Sequence, residues 1–328
     1  MSEQQQQATK ANNVHGFKGD IQHERLLQML STALGIHVVS LLEDPGVVEI
    51  MLNPDGFLWT DRLGIGRENT GYKILPANAQ RVIELVASST GSVCSAENPL
   101  ISAELPESGN RFQGILPPVT STPVFTIRKK ALMVFDLGDY VAKGILTESQ
   151  KEKIIEAVHQ KKNILIVGGT GSGKTTLANA VLNEVAATQD RCIIIEDTLE
   201  LQCTAPDTVF MRSRDHVSMN DLLRATMRLR PDRIIVGEVR GGEALTLLKA
   251  WNTGHPGGVA TVHANSAKGG LTRIEQLIQE AIPTPQKELI AEVINMVVFI
   301  ERYKHSRKVP EIIRVTGFEN GQYLTQPV

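Results

Sequence analysis

The run Gly168-Gly169-Thr170-Gly171-Ser172-Gly173-Lys174-Thr175-Thr176 satisfies G-x-x-x-x-G-K-[ST], and its surroundings narrow what the chain can become. Before it lies an aliphatic, β-branched stretch, Asn163 to Val167. After it, Leu177, Ala180, Val181 and Val185 recur at helical spacing through Ala186. Strand, glycine loop and helix in this order form a phosphate-binding loop, because glycines free the backbone N–H groups to curl round an anion that the helix N-terminus also attracts. Lys174 is expected to reach the β and γ phosphates, and Thr175 to hold Mg²⁺ through its hydroxyl. The expected ligand is therefore a nucleoside triphosphate with its metal.

With 328 residues the chain has length for two domains. A formal charge of −2 provides no global field toward nucleic acid or an anionic membrane, and an aromatic content of 4% disfavours base-stacking platforms. The three cysteines, Cys94, Cys192 and Cys203, show no metal-ligand spacing and suit a reducing compartment, which reads as cytoplasm. The polar start, MSEQQQQATKANN, has no signal-peptide character, and no run of uninterrupted apolar residues reaches the ~18–20 that span a bilayer.

Residues 1–16 are expected to be a disordered tail. Residues 17–136 read as a smaller α+β domain, with helices over Ile21 to Leu42 and Ala77 to Ser88 and five short strands between 47 and 129. Residues 137–146 read as a linker. From 147 to 328 strands and helices alternate, which predicts an α/β domain with a mainly parallel sheet covered by helices. Thr147 with Gln150 forms a capping-box pattern, and Thr284-Pro285 suits the start of a late helix. The amphipathic stretch Ile21 to Leu42 reads as a packing helix, since its polar face lacks the dense Lys/Arg band of interfacial helices; peripheral membrane association stays open.

A phosphate loop does not by itself separate kinase, GTPase and motor, so polar residues at strand ends must decide. Ile193-Ile194-Ile195-Glu196-Asp197, with Glu200 nearby, is an apolar strand ending in carboxylates, and Glu196 could orient or deprotonate a water. Arg233 to Glu238 has the form of a Walker B element, where Glu238 could hold Mg²⁺ or act as general base. His263, at the end of Thr261-Val262-His263, could sense the γ-phosphate, whereas His255 reads as structural. A triphosphate needs cations beyond one lysine and Mg²⁺; candidates are Arg240, Arg228, Arg230 and, on strands of the first domain, Arg111 and Arg128.

GGTGSGKTT, IIIEDTLEL, RPDRIIVGEVRGGEA and NTGHPGGVATVHANSA, in this order, resemble the Walker A, Asp box, Walker B and His box of the secretion ATPase superfamily, and within it the type IV secretion branch. The resemblance covers about residues 100–300. It implies a RecA-like ATPase domain, a homo-hexameric ring and nucleotide held between the two domains. On that reading ATP and Mg²⁺ are the cofactors. Gly168 to Thr176 bind the phosphates, with Arg111 and Arg128 reaching them from the first domain, and Thr175 and Glu238 hold the metal. Glu196, Glu238, His263 and Arg240 carry or sense hydrolysis. RecA-like geometry makes Glu196 the water activator and Glu238 the Mg²⁺ partner; the reverse stays open. The implied partners are inner-membrane secretion or conjugation proteins, at the cytoplasmic face of that membrane, without sequence-specific nucleic-acid binding. Two other functions compete: a RecA-like nucleic-acid motor, and a scaffold that binds nucleotide without turnover.

Overall fold

The computed structural model describes residues 24–130, 135–214, 216–304 and 306–328. The tail expected over 1–16 lies outside these. The chain divides into two compact units, residues 1–132 and 133–328.

The first unit opens with helix α1 (Glu24–Glu43) and continues through β1 (Val47–Leu52), β2 (Phe57–Arg62), β3 (Gly66–Lys73), α2 (Pro76–Ser89), β4 (Leu100–Glu104), β5 (Arg111–Ile115) and β6 (Val124–Arg128). The strands form one antiparallel sheet in the order β3-β2-β1-β6-β5-β4. Leu30, Leu34, Val38 and Leu41 of α1 recur at helical spacing and are buried with Val82, Ile83 and Val86 of α2. Thus α1 packs as a core helix along one face. By length and a mean hydropathy of 1.5 it also has the size of a membrane span, although Gln, Ser, Thr and His residues interrupt it, so it is not an uninterrupted apolar run. Strand β3 was not expected. Its sequence, GRENTGYK, is nearly all exposed, because an edge strand paired only with β2 needs no apolar face.

The second unit begins with α3 (Leu137–Ala142), a short helix within the segment expected as a linker; Asp136 caps it, and its Leu137 and Tyr140 are buried. There follow α4 (Glu148–His159), β7 (Ile164–Gly168), α5 (Lys174–Ala186), β8 (Cys192–Glu196), β9 (Thr208–Arg212), α6 (Met219–Thr226), β10 (Arg233–Val236), α7 (Glu243–Asn252), β11 (Val259–His263), α8 (Ala267–Gln279), α9 (Lys287–Val293), β12 (Met296–Tyr303), β13 (Ser306–Glu319) and β14 (Gln322–Pro327). Eight strands lie in the order β14-β13-β12-β7-β11-β10-β8-β9. From β12 to β9 every neighbouring pair is parallel, while β13 and β14 add antiparallel edges.

The aliphatic strands are buried on both faces. Leu165, Val167, Ile193, Ile195, Val236 and Val262 pack beneath α6 to α9; Ile164, Ile166, Ile194, Ile235 and Val298 pack beneath α3 to α5. This is why these runs are continuously apolar instead of alternating. The Thr147–Gln150 capping box forms as read. The late helix, however, starts at Lys287 with Gln286 as its N-cap, so Thr284-Pro285 lies ahead of it. Strands β9 and β14 were also unforeseen; both are outer strands with mixed side chains.

At the amino end of the parallel strands a buried ion pair ties the sheet together. The Arg233 guanidinium, 1% exposed, donates to Asp190 at 2.7 Å and to the carbonyls of Gly257 and Val158.

Candidate active site

The carboxyl ends of β7, β11, β10 and β8 meet at one edge of the second unit. Parallel pairing aligns them, with His263 opposite Gly168 and Val236 opposite both Ala260 and Ile195. The glycine loop leaves β7 at this edge and enters α5, whose N-cap is Gly173 at φ +97°. An L side chain is strained there. Gly168 is required for a different reason: a Cβ on it would lie 2.3 Å from the Ile300 carbonyl oxygen and 2.4 Å from Ser172 Oγ. Lys174 and Thr175 are the first two residues of α5, and Thr176 is the third.

Lys174 is buried, and its ammonium donates to the Gly169 carbonyl at 3.1 Å and approaches His263 Nδ1 at 3.2 Å. The same ammonium is 3.4 Å from His263 Nε2, and that nitrogen lies 2.6 Å from Glu238 Oε1. Arg240 donates to the second oxygen of Glu238 through Nε at 2.9 Å and Nη2 at 2.6 Å, and through Nη1 to Asp197. A polar chain thus runs Lys174, His263, Glu238, Arg240, Asp197, crossing three strand ends.

Glu196 is 2% exposed. Its Oε1 accepts from the backbone N–H groups of Glu200 and Leu201, both at 2.9 Å, while Oε2 is buried with no hydrogen-bond partner among the described residues. Burial lifts this carboxyl to about 7, outweighing the two backbone donors that favour the anion. A carboxylate that holds or loses its proton near neutrality, with one oxygen uncommitted, can accept a proton from water. Gly237 makes room for it: a Cβ there would meet Glu196 Cγ at 2.8 Å.

Within the second unit the remaining candidates do not join this group, and those of the first unit have their own setting. In the first unit, Arg111 and Arg128 face each other directly across β5 and β6, flanked in the same row by Glu104 opposite Arg111 and Glu49 opposite Arg128. Arg228 and Arg230 are exposed in the turn after α6. His255 precedes β11 and so lies at the opposite edge of the sheet from His263.

With this geometry in view the comparisons with known proteins are specific. The family described as type II/IV secretion system protein matches residues 98–308. The chain belongs to the type II/IV secretion system family. Its sequence is 52% identical over 303 residues to the probable conjugal transfer protein TrbB of Sinorhizobium fredii, covering 92% of this chain and 93% of that protein. To the conjugal transfer protein TrbB of Rhizobium radiobacter it is 51% identical, covering 93% and 94%. In fold it is similar to the ATPase DotB of Legionella pneumophila, at a TM-score of 0.61 and 20% identity, covering 83% of this chain and 78% of that one.

Sequence reasoning missed two cations of this secretion-system protein. Arg302, near the end of β12, lays its guanidinium 3.9 Å from the Cβ position of Gly171, and Arg307, opposite it on β13, packs its Cγ 3.7 Å from that of Gly173. The signal available was only a cluster of basic residues in ERYKHSRK, which reads as solvated surface until the parallel pairing of β12 with β7 brings it to the loop.

Proposed function

We propose that this chain is a Mg²⁺-dependent P-loop ATPase of RecA-like type that powers conjugative type IV secretion or pilus assembly as a hexameric ring at the cytoplasmic face of the inner membrane. Support comes from family membership and from the similarity to the two TrbB proteins, which extends over nearly the whole of both. Hydrolysis, beyond binding, is carried by one observation: an almost fully buried Glu196 with an uncommitted oxygen stands among strand ends that also bear Glu238 and His263, with Lys174 at the start of α5.

The residues fit ATP and its metal. The loop glycines leave backbone N–H groups for phosphate oxygens, and the buried Ser172 Oγ has no partner among the described residues. Thr175, at the second position of α5, and the Glu238 carboxylate are the residues that would hold Mg²⁺, which when bound neutralises charge on the β and γ phosphate oxygens. Lys174 exchanges its contact with Gly169 for phosphate oxygens. His263, in contact with both Lys174 and Glu238, couples the γ-phosphate position to the carboxylate. Glu196 takes the proton of the attacking water, and Arg240 keeps Glu238 and Asp197 in place. Arg111 and Arg128 are proposed as further phosphate ligands on the strength of the family resemblance of their strands.

The deciding experiment measures solution mass and phosphate release with and without Mg²⁺-ATP, for the wild type and Lys174→Ala. A six-fold assembly with turnover that the substitution abolishes supports the reading. A monomer at all concentrations that releases no phosphate overturns it.

A further inference from the structure

The site described so far occupies one side of the phosphate loop. Glu196, Glu238 and His263 stand at the ends of β8, β10 and β11, and all three strands follow β7 on the same side in the order β12-β7-β11-β10-β8. If the γ-phosphate is read from that side, the rest of a nucleotide must leave toward the other, where β12 pairs with β7. Arg302 is there. Its Cζ, Nε and Nη2 all lie 3.9–4.0 Å from the Cβ position of Gly171, so the guanidinium plane rests against the outer turn of the loop while the residue stays exposed.

Its support is built in. Arg302 and Arg307 are directly paired across β12 and β13. Arg307 is half-buried, its Cγ and Nε are 3.7 and 4.0 Å from the Cβ position of Gly173, and its charge acts on the buried Tyr140 phenol of α3. Gly171 and Gly173 both have positive φ, +69° and +97°, and no side chain of their own, so the loop surface facing the arginines is bare backbone. A planar guanidinium on such a surface can stack on a base and donate to ribose hydroxyls at once, which a lysine reproduces only in part.

We propose that Arg302, held by Arg307, binds the nucleoside end of the nucleotide, the base and ribose. This rests on the nucleotide-binding reading above and adds to it the residue that distinguishes a nucleotide from a bare polyphosphate.

The test is equilibrium binding to the full-length chain, by calorimetry, of ADP and of inorganic tripolyphosphate. Wild type and the variants Arg302→Ala, Arg302→Lys and Lys174→Ala are compared. Loss of both ligands in Lys174→Ala anchors the site. Arg302→Ala is then expected to weaken ADP about ten-fold while tripolyphosphate changes less than about two-fold, with Arg302→Lys recovering only part of the ADP loss. ADP binding unchanged in Arg302→Ala overturns the inference, as does an equal loss of both ligands, which would make Arg302 a general support of the loop. A wild type that binds neither ligand overturns the underlying nucleotide reading, a result distinct from those two. Thermal unfolding of each variant identifies any that fails to fold; Arg302→Gln replaces Arg302→Ala in that event.

Discussion

The carboxylate of Glu196 lies against the α-carbon of Gly237, so closely that the Cβ of an alanine there would stand 2.8 Å from Glu196 Cγ and 3.0 Å from Oε1. Two strand ends distant in sequence are thereby keyed together. Gly237→Ala must displace one of them, and Glu196, a side chain, moves more easily than the backbone of β10. Nucleotide binding is expected to remain and turnover to fall by at least about ten-fold, as happens when a catalytic group moves by about an ångström. Steady-state phosphate release beside ADP titration checks this; full turnover in Gly237→Ala would remove Glu196 from the chemistry.

Glu196→Gln and Glu238→Gln separate the two carboxylates. Glutamine at 196 keeps an acceptor for the Glu200 and Leu201 N–H groups but cannot take a proton. Turnover is expected to drop about 100-fold or more with ADP still bound. Glu238→Gln should instead weaken the Mg²⁺ dependence of binding. The reverse pattern would exchange the roles.

Turnover should also depend on pH through Glu196. As a base it must be ionised, and burial raises its pKa to about 7, so rate is expected to fall as pH drops below 7. Stability has the opposite slope. The folded chain keeps this proton up to about 7, whereas the unfolded carboxyl, with the ordinary value of 4.5, has lost it; the folded state binds more protons between these values and loses stability as pH rises through them. Glu196→Gln is therefore expected to be more stable than wild type at pH 8, by on the order of 2 kcal/mol, with the difference vanishing near pH 4 to 5. Thermal melts across that range give the answer, and a pH-independent difference would refute it.

At the far edge of the sheet Arg233→Met leaves Asp190 partly buried and short of its closest cation. A loss of about 3–5 kcal/mol is expected in urea unfolding. Although burial would raise it, hydrogen bonds from Lys161, Arg233 and Thr188 hold the Asp190 carboxyl down at about 2. Its folded pKa is below the ordinary 3.8, so its contribution is complete above pH 4 and disappears as pH falls through about 2. The cost of Arg233→Met should accordingly shrink in acid.

Much of the second unit was legible because its chemistry is local. A strand buried on both faces needs an unbroken aliphatic run, and a phosphate loop needs glycine, lysine and threonine at set spacing, so Ile164 to Thr176 announced itself. The same holds for strands ending in Glu196, Glu238 and His263. Edge strands β3, β9 and β14 did not, since a strand with one neighbour and little burial can carry almost any side chain. Gln286 likewise holds the N-cap position of α9 without a side-chain cap, two residues beyond the better capper Thr284.

The residues alone thus determined that a glycine loop with the phosphate-loop spacing stands between a strand and a helix, and which carboxylates, histidine and arginines are candidates to stand near it. Only the tertiary structure decided which of them meet. Strand order places β12 on one side of β7 and β11 on the other, bringing Arg302 and His263 to opposite flanks of one loop. Burial then set Glu196 apart from Glu238: the two read alike as carboxylates at strand ends, but one lies in a desolvated pocket with a raised pKa and the other is held between a histidine and an arginine. Desolvation and the pairing of distant charges depend on what surrounds a group in space, and no local pattern encodes that.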